Sequence, residues 1–286
     1  MATGERSPGV CDDAMSAESV AASRVWVACG VCCFVFMLVV SSMPACLAMT
    51  TPAGVLWAIV AIAAWGLLCA IAWAAARVPR PSDDDTFGGV VSVVLRAYCR
   101  IFHAMRVEGR VPVRAGERGL LVVCNHTAGV DPMLVQTAVP FYVRWMMARD
   151  MIHPALAFVF AWLRVIEVDR SGNDRSSVRE AVRALRAGEV VGIFPEGRIG
   201  REAGSVLPFL PGAGVIAHLS GCDVLPVAIV GTPSKAGAFM SLLRPSKSKV
   251  RLLEVVRSNE LPKGAETMRL LEERIGSAVR EMAGGV

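Results

Sequence analysis

The sequence predicts an α/β fold, a largely parallel sheet covered by helices, preceded by an N-terminal hydrophobic helical hairpin. Two observations lead there. From Val107 to the C-terminus, short β-branched runs alternate with helical patterns, the signature of strands linked by crossover helices. Before that, no Asp, Glu, Lys or Arg occurs between Val25 and Ala76, and 54% of the 286 residues are hydrophobic. An uncharged run of that length belongs in lipid.

Residues 1–24 carry Glu5, Asp12, Asp13 and Glu18 against Arg6 and Arg24, with few large apolar side chains. Such a segment buries too little to order itself and reads as a disordered tail. Residues 25–76 read as the hairpin, with apolar pieces Val25 to Met43 and Ala53 to Ala76 divided by Pro44 and Thr50-Thr51-Pro52. The second piece, as a helix about 36 Å long, crosses a hydrocarbon core of roughly 30 Å with tilt. A cleaved signal peptide is the competing reading, but the run is too long and follows an acidic tail instead of a basic one.

Residues 77–106 are expected to hold an interfacial helix and linker. Val90, Val91, Val94, Leu95, Tyr98, Phe102 and Met105 fall on one side, and Arg96, Arg100 and His103 on another. A basic stripe of this kind suits anionic headgroups, or it is the solvated face of a helix covering the core. Arg77 and Arg80 follow the hairpin, so the positive-inside tendency puts the larger domain on the cytoplasmic side of the cell's inner membrane. The expected partner is therefore a lipid membrane, with no nucleic acid. Of nine cysteines, Cys29, Cys32, Cys33, Cys46 and Cys69 lie in the apolar hairpin and the rest are isolated, so no metal and no disulfide framework is implied.

In residues 107–286 the expected strands are Leu120 to Val123, Val143 to Met147, Val165 to Val168, Val190 to Phe194, Val224 to Val230 and Val250 to Val256. Helical patterns cover Ser176 to Ala187 and Met268 to Met282. The first strand delivers Asn125 and His126 to its carboxyl end, where open α/β sheets place their sites. Asp131 before Pro132 reads as a helix start with the carboxylate as N-cap. A turn through Gly129 then lets that carboxylate reach one imidazole nitrogen. A His held by an Asp is a general base; a satisfied loop histidine beside an ordinary N-cap is the alternative, and spacing alone leaves both open.

Ile193-Phe194-Pro195-Glu196-Gly197-Arg198 leaves a second buried strand, with Pro195 and Gly197 setting a tight turn that displays Glu196 and Arg198. Asp169-Arg170 ends a third strand and offers another guanidinium, suited to an anion or simply solvated. The stretch Val224-Leu225-Pro226-Val227-Ala228-Ile229-Val230 says only core.

Together, in this order, the blocks resemble those of the phospholipid and glycerolipid acyltransferase family, which includes 1-acylglycerol-3-phosphate acyltransferase. The resemblance covers roughly residues 105–235 through an NHxxxxD, an FPEGR and a VLPVAI block. It implies that His126 deprotonates an acceptor hydroxyl, that Asp131 orients it, and that the hydroxyl attacks a fatty acyl thioester of coenzyme A or acyl carrier protein, with no cofactor. Asn125 of the first block would line the substrate site, Arg170 and Arg198 would hold a glycerol phosphate, Glu196 and Gly197 would shape that pocket, and Pro226 would line the acyl side. The acceptor implied is 1-acylglycerol 3-phosphate; another lysophospholipid or glycerol 3-phosphate is the alternative, and an inactive lipid-binding relative a second one. The chain departs from the family at Leu163 to Val168, often Gly and aromatic there, and lacks the Thr that many lysophosphatidate enzymes place before the Arg of the FPEGR block.

Overall fold

The computed structural model describes residues 51–79, 86–111, 119–170, 174–200 and 204–284. The expected tail and the first half of the hairpin lie outside them. Contacts divide the chain into two units, Met1–Val78 with Asp84–Val93, and Pro79–Asp83 with Val94–Val286.

In the first unit, helix α1 (Pro52–Ala75) runs 24 residues without a charge. Leu56, Ile59, Ile62, Leu67, Leu68 and Trp73 are exposed along it. Its end is closed by Arg77, whose guanidinium donates to the Trp73 carbonyl at 3.1 Å and lies 3.8 Å over the Trp73 ring. Among the described residues no helix is long and apolar enough to cross a membrane, so the expectation that the second apolar piece crosses one is not supported. Helix α2 (Thr86–Ile101) follows and continues into the second unit.

The second unit is a seven-stranded sheet, β1 (Arg106–Glu108), β2 (Leu120–Cys124), β3 (Arg144–Ala148), β4 (Ile166–Val168), β5 (Val190–Ile193), β6 (Asp223–Val230) and β7 (Lys249–Leu252). Their order is β1-β7-β6-β2-β5-β3-β4. All pairs are parallel except β6 with β7. Strand β2 is central and every residue of it is buried, which is why its sequence is an unbroken apolar run. Its side chains alternate between two cores. Leu121 and Val123 meet α5 (Arg175–Arg186), α6 (Gly212–Ser220) and α7 (Ala265–Gly284), while Leu120, Val122 and Cys124 meet the layer of Cys99, Met105, Leu134 and Val135.

Six expected strands are present with shifted ends, the last much shortened: beyond β7 the Leu253 amide donates to the Pro226 carbonyl at 3.0 Å and Val256 makes an isolated bridge to Val224. Strand β1 and helix α6 were not expected, β1 because two of its three residues are exposed and carry no pattern. The basic stripe is also corrected. Helix α2 ends at Ile101, the chain turns at Ala104 (φ 39°), and His103 is fully buried instead of joining Arg100 on a surface face. Its Nδ1 meets Ser246 Oγ at 2.7 Å and its Nε2 meets Tyr98 Oη at 2.9 Å. Burial pushes its pKa down, so the ring is neutral.

Helix α5 starts on a cap that the sequence did not single out. Asp174 accepts from Ser176 N at 3.0 Å and Ser177 N at 3.1 Å, and it also holds the Ser176 hydroxyl and the Asp169 amide. Those donors, the Ser176 hydroxyl foremost, keep its carboxyl well below the usual aspartate range. A depressed pKa means a contribution fully present above about pH 4 and lost as pH falls further. Asp174→Ala is therefore expected to lower stability by about 1 kcal/mol at neutral pH, with the gap to wild type closing in acid, read from unfolding curves at pH 7 and pH 3.

Candidate active site

The site is built where β2 ends. Asn125 is buried and its side-chain amide bonds both backbone groups of Ile229 on β6, donating to the carbonyl at 2.9 Å and accepting from the amide at 2.8 Å. It was expected to line the substrate site. Instead it extends the sheet ladder by one side-chain rung and fixes where the chain turns off.

Helix α3 (Asp131–Ala138) then begins with Val130 at the N-cap, and no side chain caps it. Asp131, expected in that capping role, is the first helical residue and its carboxylate folds back over the preceding turn. Oδ2 accepts from Thr127 N at 2.6 Å, from Ala128 N at 2.8 Å and from His126 Nδ1 at 2.9 Å. Three converging N–H groups compensate a fully buried charge better than one amide at a helix end would. Gly129 is required here for close approach: a Cβ on it would lie 2.2 Å from the Ala238 carbonyl oxygen.

With a carboxylate at Nδ1, that nitrogen is the donor, and Nε2 keeps its lone pair for an incoming proton. The side chain is 18% exposed, enough to be reached. Its position is set from the neighbouring strand. His126 N donates to Glu196 Oε1 at 2.9 Å, and its carbonyl accepts from Gly200 N at 2.8 Å. The ring lies on Phe194 with centroids 4.2 Å apart and planes 21° apart, and Trp145 backs Phe194 at 4.9 Å and 12°. The imidazole thus has a fixed face, edge and backbone.

Glu196 corrects the expectation that the Pro195 turn displays it. The turn forms, closed by Gly197 N to the Phe194 carbonyl at 3.1 Å with Gly197 at φ 66°, and it sends Arg198 outward but Glu196 inward. Glu196 is 6% exposed. Burial pushes its pKa up to about 7, opposed by the donated backbone N–H groups of His126 and Leu207.

The remaining expected residues lie apart. Arg198 is exposed on the loop after β5, beside β2, with no ion pair among the described residues. Arg170 follows β4, three strands from β2 and so roughly 14 Å away across the sheet, and its Nη1 pairs with Asp150 at 3.3 Å. Pro226 is buried mid-strand, opposite Val123, and lines no opening at His126. Two surface hollows, around Arg144 and Glu180 and around Arg269 and Glu272, include no residue of this site. Among the described residues, no group of three or more His, Cys, Asp or Glu is arranged to hold a metal ion.

Sequence reasoning missed Phe194 as a stacking partner, although it stands in the FPEGR block. It also missed Trp145, Gly200 and the pair Thr127 Oγ1 to Thr232 Oγ1 at 2.6 Å. One signal was available: Gly192 in mid-strand marks a close approach, and a Cβ there would meet the Trp145 ring at 2.6 Å.

Residues 104–230, which contain His126, Asp131 and the Phe194 to Gly200 segment, match the family model described as Acyltransferase. A curated 1-acyl-sn-glycerol-3-phosphate acyltransferase of Bacillus subtilis (strain 168) is 26% identical over 141 residues, which is 48% of this chain and 65% of that relative. The acyltransferase-family fold is matched by the crystal structure of the 1-acyl-sn-glycerophosphate (LPA) acyltransferase PlsC from Thermotoga maritima, with a TM-score of 0.58 and 24% identity, covering 70% of this chain and 83% of that one.

Glu196 yields a test specific to this site. Its folded pKa near 7 lies above the ordinary glutamate value, so between roughly pH 4.3 and 7 the folded state holds a proton that the unfolded chain has released. Stability must then fall as pH rises through that window, by roughly 3 kcal/mol in all. Glu196→Gln removes the titration, so its stability relative to wild type should improve from pH 5 to pH 8. A pH-independent difference in unfolding midpoints would show that the carboxyl is not shifted.

Proposed function

We propose that the protein is a membrane-bound O-acyltransferase that transfers a fatty acyl group from acyl-CoA or acyl carrier protein to the free hydroxyl of 1-acylglycerol 3-phosphate, in phospholipid synthesis. The observation that carries this reading is the His126–Asp131 pair, with its carboxylate held by the turn's own amides and Nε2 left open. The acceptor hydroxyl gives its proton to Nε2 as its oxygen bonds to the thioester carbonyl carbon. The tetrahedral intermediate then expels the thiolate, which takes the proton back from the imidazolium, so the free thiol and the new ester leave together. Asp131 stabilises the imidazolium between the two steps. Arg198, exposed beside the base, is the cation placed to meet the acceptor's phosphate.

The membrane part of the reading is supported by α1, uncharged over 24 residues and bearing exposed large apolar side chains. The basic residues after it favour a cytoplasm-facing catalytic domain at the inner membrane. An acceptor with a phosphodiester, such as another lysophospholipid, is the second reading, and one observation favours it: Arg170 is paired with Asp150, whereas Arg198 makes no ion pair among the described residues.

His126→Ala should lower acyl transfer by about 10²–10⁴-fold while the protein stays folded and membrane-associated. Transfer at the wild-type rate in that variant would sink the mechanism and leave a lipid-binding role. Arg198→Lys keeps the charge and loses the fork, so it should raise the KM for a lysophospholipid acceptor about tenfold with kcat and the thioester KM little changed. The same change at Arg170 should do little. A panel of labelled acceptors run on wild type decides between monoester and diester: 1-acylglycerol 3-phosphate as the best acceptor supports the first reading, and a lysophospholipid with a phosphodiester the second.

A further inference from the structure

The connection between β6 and β7, residues 231–248, exposes side chains that a surface in water does not favour. Phe239 is 56%, Met240 52% and Leu243 71% exposed, and Ile101 at the end of α2, beside this connection, is 81% exposed. These side chains stand on a rigid mount. The Tyr98 hydroxyl donates to the Leu242 carbonyl, Ser248 N donates to the His103 carbonyl at 2.9 Å, and the buried His103 ring bridges Tyr98 and Ser246.

The two segments that carry them hold charge of one sign. No Asp or Glu occurs from Thr232 to Leu253, or from Thr86 to Val107. Lys235, Arg244 and Lys247 on the connection and Arg100 and Arg106 beside it are exposed, and among the described residues none of the five makes an ion pair. The same connection touches the catalytic turn twice, through Thr232 Oγ1 on Thr127 Oγ1 at 2.6 Å and through the Ala238 carbonyl packed on Gly129.

We propose that the β6–β7 connection, with the end of α2, is a docking surface for an anionic phospholipid bilayer, distinct from the hydrophobic N-terminal segment. Exposed apolar side chains on the same segments as cations that make no ion pair among the described residues fit a headgroup layer over acyl chains, because that layer supplies negative charge and hydrocarbon at every point of contact. A bilayer held there lies against the segment that packs on the His126 turn, so a lipid acceptor reaches the base without leaving the interface. The inference rests on the reading that the acceptor is a membrane lipid.

Hydrogen exchange of the full chain tests it, in neutral detergent micelles, in phosphatidylcholine vesicles and in vesicles containing phosphatidylglycerol. Amides of residues 238–244 should exchange more slowly in the anionic vesicles than in the other two. Arg244→Gln with Lys247→Gln should reduce that protection roughly fivefold per charge removed. Phe239→Ser with Leu243→Ser should abolish it and lower turnover of a bilayer-embedded acceptor while sparing that of a short-chain, water-soluble one. Equal protection in all three media would mean that another segment of this chain, a second copy or a protein partner covers the surface, and would overturn the proposal, as would no protection in any. Protection that ignores lipid charge overturns it too. If the wild type transfers no acyl group yet shows the anionic protection, the proposed reaction fails and the docking surface stands.

Discussion

A buried carboxylate sets the terms for this site. Asp131 has no exposure, and a charge in that position must be met by donors or it would destabilise the domain by several kcal/mol. Two of the donors to Oδ2 are backbone amides of the turn between β2 and α3, a third is the imidazole, and the Thr127 hydroxyl adds a longer bond at 3.4 Å. The requirement to satisfy the carboxylate therefore fixes the turn and orients the base in a single arrangement. Polar satisfaction and catalytic orientation are the same set of bonds.

The second constraint is that β2 and β5 are neighbours. His126 holds its backbone to Glu196 and Gly200 and its ring to Phe194, all on the segment that leaves β5. The FPEGR block is thus a clamp on His126, and within it the two charged residues divide by direction: Glu196 inward, Arg198 outward. Asn125 closes the other side by bonding β6. The central strand's exit is fastened left and right, so the histidine is rigid although it stands at a mouth.

The order of strands also decides what the site does not contain. Arg170 and Arg198 look alike in sequence, each a guanidinium just past a strand. The sheet puts β5 next to β2 and β4 at its edge, so one arginine stands by the base and the other makes an exposed pair with Asp150. Pro226 shares a block with good strand residues and is buried as they are.

Sequence by itself determined the α/β class, the six main strands and the identity of the His126–Asp131 pair. Those depend on local facts: β-branched runs, a fixed spacing, a proline after an aspartate. It brought the pair together through the turn at Gly129 but misjudged the helix start, because an Asp before a Pro caps a helix in most surroundings, and here the converging amides of Thr127 and Ala128 offer a buried carboxylate something better. It placed His103 on a surface stripe, because helical periodicity cannot show that the helix stops at Ile101 and the ring turns into the Tyr98 and Ser246 hydroxyls. Glu196 turning inward, Trp145 behind Phe194 and the Thr127–Thr232 contact were decided by the tertiary structure alone. Each joins residues from different strands, and such contacts are set by which strands lie side by side, a property of the folded sheet that no local spacing encodes.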